Sequence, residues 1–153
     1  MANTYSQIYV KIVFAVQGRQ NLILEAHKEE IHEYITGIVQ NQKQKLIAIN
    51  VMPDHLHVLV GLTPNVALSD LVRDIKSDSS TFINKRKWFG GKFNWQEGFG
   101  AFSYGHSQLG RVVKYIRDQE KHHQHRNFME EYLSLLRKFQ IEFREEYLFE
   151  WVT

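Results

Sequence analysis

The chain has 153 residues, 43% of them hydrophobic and 13% aromatic, with two prolines and no cysteine. This suits a single globular domain over residues 1–153 with a sizeable core, and it excludes disulfides and thiolate metal sites. No apolar run approaches the roughly 18 residues needed to cross a bilayer, and the N-terminus runs into strand-like sequence with no secretory signal, so a cytoplasmic protein without membrane contact is expected. The net charge of +2 is unevenly spread. Residues 68–126 hold 11 Lys/Arg against 6 Asp/Glu, a net of +5, whereas 127–153 hold 3 against 6, a net of −3. A basic middle fits a phosphate-bearing partner, and equally fits solvated helix faces.

In chain order, Tyr5–Gln17 alternates with Ile8, Val10, Ile12, Phe14 and Val16 on one face, which predicts a strand. Ile31, Ile35, Ile38 and Val39 recur at helical spacing within Leu24–Gln42. Lys45–Met52 and His55–Leu62 are two further strands joined by the Pro53-Asp54 turn. A second helix runs from Leu68 to about Lys87 and is expected to end at Gly90-Gly91. Phe93–Trp95 and Gly100–Tyr104 supply a fourth strand or a bent strand pair. Ser107 is the candidate N-cap of a third helix through about His123, and a fourth covers Phe128–Gln140. The order β-α-β-β-α-β is the α+β, ferredoxin-like (RRM-like) plan. It has an antiparallel sheet with two helices on one face, followed by C-terminal helices.

Chemistry concentrates in two places. In His55-Leu56-His57 the imidazoles share one strand face with Leu59 and Gly61, while Leu56, Val58, Val60 and Leu62 form the apolar, core-side face. The pair therefore stands on the more open side, where two imidazole nitrogens can converge on one metal ion. An ordinary half-exposed strand is the plainer reading of that motif alone. In the third helix Leu109, Val112, Val113 and Ile116 form the buried stripe, and Tyr115 and Gln119 lie one turn apart on its flank, with His122 three residues on. A phenol can be an oxygen nucleophile on phosphorus, and an amide oxygen can be a metal ligand. Surface packing would produce the same pattern.

Three segments together are more specific. Val51–Leu59, Trp95–Ser103 and Val113–His123 resemble, in order and spacing, the motifs of the single-tyrosine HUH transposases of bacterial insertion sequences and of the REP-associated tyrosine transposases. The resemblance implies an HUH nuclease core over about 5–125 and does not anchor the acidic C-terminal helical tail over about 127–153. It implies that His55, His57 and Gln119 hold one divalent cation, Mg²⁺ or Mn²⁺, and that Tyr115 attacks the scissile phosphate of hairpin-marked single-stranded DNA. A 5′-phosphotyrosine and a free 3′-OH would result. It further implies a homodimer with joined sheets, in which the tyrosine helix can serve either subunit through a hinge at Gly105–Gly110. Lys76, Lys85, Arg86, Lys87 and Lys92 are candidates for the hairpin surface, with Arg111 and Lys114 beside the tyrosine.

Two other functions compete. One is a domesticated nuclease of the same chemistry acting on repetitive palindromes. The other is a non-catalytic RNA-binding module, suggested by Gly98–Tyr104. Glu97 and Ala101 break that aromatic pattern, and the segment follows the second helix where it should precede it.

Overall fold

The computed structural model describes residues 3–19, 22–122 and 127–148. Four antiparallel strands, β1 (Tyr9–Ala15), β2 (Lys45–Met52), β3 (His55–Gly61) and β4 (Gly100–Tyr104), form one sheet in the order β2-β3-β1-β4. Helices α1 (Lys28–Asn41) and α2 (Leu68–Arg86) complete the expected α+β, ferredoxin-like plan.

The alternation of β1 and β3 sorts the two faces. Ile12, Phe14, Leu56, Val58 and Val60 join Ile31, Ile35 and Val39 of α1 and Leu71, Val72 and Ile75 of α2 in the main core. The opposite face, carrying His55 and His57, is not open as the sequence pattern suggested. Helices α3 (Leu109–Arg117), α4 (Gln119–His122) and α5 (Phe128–Lys138) follow β4. Val112 and Ile116 of α3 pack with Ala48 and Leu59 into a second core cluster on that face. Consequently β3 is buried on both faces, with His55 1% and His57 0% exposed.

The remaining differences have local causes. Helix α2 stops at Lys87, which takes the left-handed conformation at φ 54°, three residues before the glycine pair expected to end it. Ser107 lies in a 3-10 turn (His106–Gln108), and α3 begins after it. The Trp95 segment adds only an isolated bridge to Val16. Its side chain fills the core edge-on to Phe14 and Phe93, with centroids 4.9 Å away in each case, and its indole N–H donates to Ser79 Oγ at 2.9 Å. Phe102, the aromatic centre of the RNA-binding decoy, is 2% exposed and offers no stacking platform.

Helix α5 is seated at Gly100. A Cβ there would lie 2.7 Å from the Tyr132 hydroxyl and 2.8 Å from its ring. Gly100→Ala is therefore expected to cost about 1–3 kcal/mol through overpacking, read as a lower urea midpoint. An unchanged midpoint would mean that α5 does not rest on β4.

Candidate active site

His55 and His57 lie two residues apart on β3, and cross-strand pairing sets His57 between Val13 of β1 and Asn50 of β2. Nδ1 of His55 is 2.7 Å from the Asp54 carboxylate. Such a bond places the ring proton on Nδ1 and leaves Nε2 as the electron-pair donor. Phe128 of α5 stacks on the same ring, with centroids 3.9 Å apart and planes 12° apart. The ring is thus fixed from two sides.

Glu131 of α5 lies where the two Nε2 atoms point. The helix is capped by the Asn127 side chain, which accepts from the Glu130 N–H at 2.9 Å. Glu131 is 0% exposed, and its Oε1 lies 3.1 Å from His57 Nε2 and 3.8 Å from His55 Nε2. Its Oε2 accepts from the Tyr115 hydroxyl and, at 3.2 Å, from Gln119 Nε2. The donor atoms of His55, His57 and Glu131 lie within 4.8 Å of one another. Two imidazoles and a carboxylate at such spacing can hold a divalent cation. Burial, aided by the charge of Lys11 and by His55 and opposed by Glu131, pushes His57 down from 6.5 to about 4. The imidazole is therefore neutral at pH 7, as ligation requires.

Tyr115 and Gln119 reach this carboxylate by different routes. Tyr115 projects from α3 toward His57, with ring centroids 6.2 Å apart and planes 74° apart. The helix expected to run on to about His123 breaks at Asp118 (φ −94°, ψ 21°), and Gln119 opens a short new turn. That break turns Gln119 inward to complete burial, where Nε2 also meets the Tyr115 carbonyl at 3.3 Å. His123 and the side chain of His122 lie outside the described residues.

The depressed His57 value makes metal-free stability depend on pH. The unfolded imidazole takes a proton near pH 6.5, and the native one only near pH 4. Stability is full above pH 6.5 and is lost as pH falls from 6.5 to 4, by about 3 kcal/mol. Urea melts in EDTA should show this slope, and His57→Gln should make it shallower, with the part due to His32, also lowered by burial, remaining. A wild-type profile flat between pH 7 and 4 would contradict the assignment.

The candidate DNA-contacting cations are divided between the two sides of the sheet. Lys76 is engaged within the fold: its ammonium donates to the Gln96 carbonyl at 2.7 Å and the Gly98 carbonyl at 2.6 Å, and lies 5.1 Å from the Phe14 ring centroid. Burial, opposed by Glu97, pushes it down to about 8. Arg86 pairs with Glu30 and packs on Phe82. Lys85, Lys87 and Lys92 are exposed, at the end of α2 and in the segment after it. Arg111 and Lys114 are exposed on α3, near Tyr115.

Sequence reasoning did not single out Glu131 or Lys11. A signal existed for the first. Phe128, Glu131, Tyr132, Leu135 and Leu136 recur at i, i+3, i+4, i+7 and i+8, so a carboxylate sits inside the buried stripe of α5.

A ferredoxin-like sheet carrying a His-x-His strand, with a tyrosine and a glutamine gathered over it, is the arrangement that the resemblance to single-tyrosine transposases implied. Residues 4–119 match the family described as "Transposase IS200 like", and the chain belongs to that family. The match ends at Gln119, so α5 and Glu131 lie beyond it. The ISDra2 transposase TnpA of Deinococcus radiodurans is 24% identical over 119 residues, covering 74% of this chain and 84% of that protein. A crystal structure from D. radiodurans R1, described as that of a transposase, superposes with a TM-score of 0.61 at 19% identity, covering 76% of this chain and 94% of that one. A REP-associated tyrosine transposase bound to a REP hairpin superposes with a TM-score of 0.61 at 17% identity, covering 79% of this chain and 72% of that one. Among the described residues, no helix is long and apolar enough to cross a membrane.

Proposed function

We propose that this transposase cleaves and rejoins single-stranded DNA at hairpin-marked ends through a covalent 5′-phosphotyrosine on Tyr115. The observation that carries the reading is the convergence of the Tyr115 hydroxyl and two imidazole Nε2 atoms on one buried carboxylate.

In cleavage, Tyr115 Oη attacks the scissile phosphorus. The new Oη–P bond forms as the P–O3′ bond breaks, and the 3′-oxygen leaves to become the free 3′-OH. Glu131 already accepts the phenol's hydrogen bond, so it is placed to take the proton and to pass it on to the departing 3′-oxygen. Rejoining is the reverse attack by a 3′-OH, and the phosphodiester energy is kept in the tyrosyl ester. His55, His57 and Glu131, with Gln119 against the carboxylate, would hold one Mg²⁺ or Mn²⁺. Such an ion supplies Lewis-acid polarisation of the phosphate. Lys85, Lys87, Lys92, Arg111 and Lys114 are free enough in position to meet DNA phosphates. Lys76 and Arg86 would first have to leave the contacts described above.

Of the five clustered side chains, only Tyr115 is more than marginally exposed, and it lines an adjoining cavity. The reaction is tested by incubating the protein with single-stranded DNA from its gene's own flanks and a divalent cation. A covalent protein–DNA species is expected, and duplex DNA of the same sequence should give none. No adduct with any flanking strand would overturn the reading.

We also propose a homodimer formed partly through sheet edges, since β2 and β4 each leave one edge unpaired within the sheet. In the described chain Tyr115 lies beside its own His57. Light scattering at micromolar concentration without DNA should report a dimer, and a monomer would contradict this part of the proposal.

A further inference from the structure

The two histidines of the site are held unequally. Nδ1 of His55 meets the Asp54 carboxylate at 2.7 Å, whereas Nδ1 of His57 is buried without a hydrogen-bond partner. Among the described residues, Oδ1 of Asn50 is in the same condition. Asn50 and His57 are direct cross-strand partners in the register of β2 and β3, so their side chains leave the same face of the sheet. Both are closed off from solvent, Asn50 at 4% exposed and His57 at 0%. A buried polar atom left unpaired is costly, and here two of them come from residues directly opposite one another.

The other end of the Asn50 amide is fixed. Its Nδ2 donates to the Ile116 carbonyl of α3 at 2.9 Å and lies 3.4 Å from Glu120 Oε2. A carbonyl can only accept, so the NH2 group is set on that side and Oδ1 is turned away from it. The tautomer of His57 decides whether Oδ1 and Nδ1 can pair. Nε2 of His57 lies 3.1 Å from Glu131 Oε1, and a neutral ring carries its proton there, toward the carboxylate. Nδ1 then presents a lone pair, and two acceptors cannot bond. When Nε2 gives its lone pair to a cation instead, the one ring proton must sit on Nδ1. Nδ1 becomes a donor, and Asn50 Oδ1 is an acceptor facing it across the strands.

We propose that Asn50 is a positioning residue of the metal-bound state: its Oδ1 accepts the Nδ1–H of His57, directly or through one bridging water, and so holds Nε2 toward the ion. This rests on the metal-binding reading above and extends it. The ring stays neutral throughout, since one proton leaves Nε2 for solvent as another arrives at Nδ1. Asn50 thus serves His57 as Asp54 serves His55, with a neutral acceptor in place of a charged one. The same amide ties His57 to the helix of the nucleophile, because Ile116 follows Tyr115 in α3.

The test compares wild type with Asn50→Leu and Asn50→Asp. Leucine offers neither donor nor acceptor, whereas aspartate keeps the acceptor and loses the donation to Ile116. Mn²⁺ titrations, followed by the electron paramagnetic resonance of the free ion, should give Asn50→Leu a dissociation constant about 10–100-fold above wild type. Asn50→Asp should recover most of that loss. Equal affinity in wild type and Asn50→Leu overturns the proposal. So does equal weakness in the two variants, which would mean that the amide only anchors α3. Imidazole nitrogen NMR of wild type keeps the test intact if a variant fails to fold. The His57 proton is expected on Nε2 in EDTA and, with diamagnetic Zn²⁺, on Nδ1 at the downfield position of a hydrogen-bonded N–H. A Zn²⁺-bound His57 with its proton on Nε2, or with an Nδ1–H at the unbonded position, overturns the proposal alone. Wild type that binds neither ion overturns the metal-binding reading, and this inference with it.

Discussion

Tyr115→Phe is expected to fold, to bind single-stranded DNA, and to form no covalent adduct. The substitution removes one oxygen and the hydrogen bond it donates to Glu131. The ring keeps its place beside His57 and its contact with the Lys11 ammonium. The stability change should be about 1.5–3 kcal/mol, the usual worth of a hydrogen bond to a charged group. Cleavage should fall by several orders of magnitude, because Tyr115 carries the one hydroxyl among the five clustered side chains. Denaturing gels of reactions with labelled DNA read both outcomes: strand cleavage and the slow-moving protein–DNA species vanish together. Full cleavage by the phenylalanine variant would mean that water, or another residue, is the nucleophile.

Divalent-cation binding should be lost when either end of the donor set is cut. In wild type, Mn²⁺ at about 100 times its dissociation constant should add about 2.7 kcal/mol to unfolding stability. His57→Ala and Glu131→Ala should each lose nearly all of that increment at the same concentration. Removing a direct donor should cost more than the about 10–100-fold in affinity that outer-layer partners contribute. Each variant is compared with and without Mn²⁺, so any change in metal-free stability cancels. The two variants probe different elements, since His57 comes from β3 and Glu131 from α5. An unchanged increment in Glu131→Ala with a lost one in His57→Ala would return the third-donor role to Gln119 alone.

The two halves of this site differ in how far the sequence reveals them. The histidine pair is legible because strand alternation is a local rule: His55 and His57 must share a face, and the apolar run Leu56–Leu62 says which face. That face was expected to stay open, however, and it is covered. The cover depends on contacts that no local pattern encodes. Glu131 meets His57 across 74 residues of chain, and Tyr132 meets the bare backbone of Gly100. The acidic tail had no anchor in the sequence for that reason, although Glu131 stands out once its stripe is read as buried. Gln119 shows the reverse situation. Its expected neighbourhood holds, but the helix breaks at Asp118 to deliver it there, with no Gly or Pro to announce the break. Lys11 is not legible in the same way, because the apolar alternation of β1 from Ile8 to Val16 marks one face and the lysine lies on the other.

The most direct test of the account is peptide mass spectrometry of the covalent species formed by wild type with flanking single-stranded DNA and Mn²⁺. After nuclease and protease digestion, the account predicts one modified peptide, carrying a nucleotide joined through its 5′-phosphate to Tyr115. The same reaction in EDTA should give no modified peptide. A 5′-linked nucleotide on Tyr104, Tyr132 or any other residue, or an adduct that forms equally well in EDTA, would contradict it.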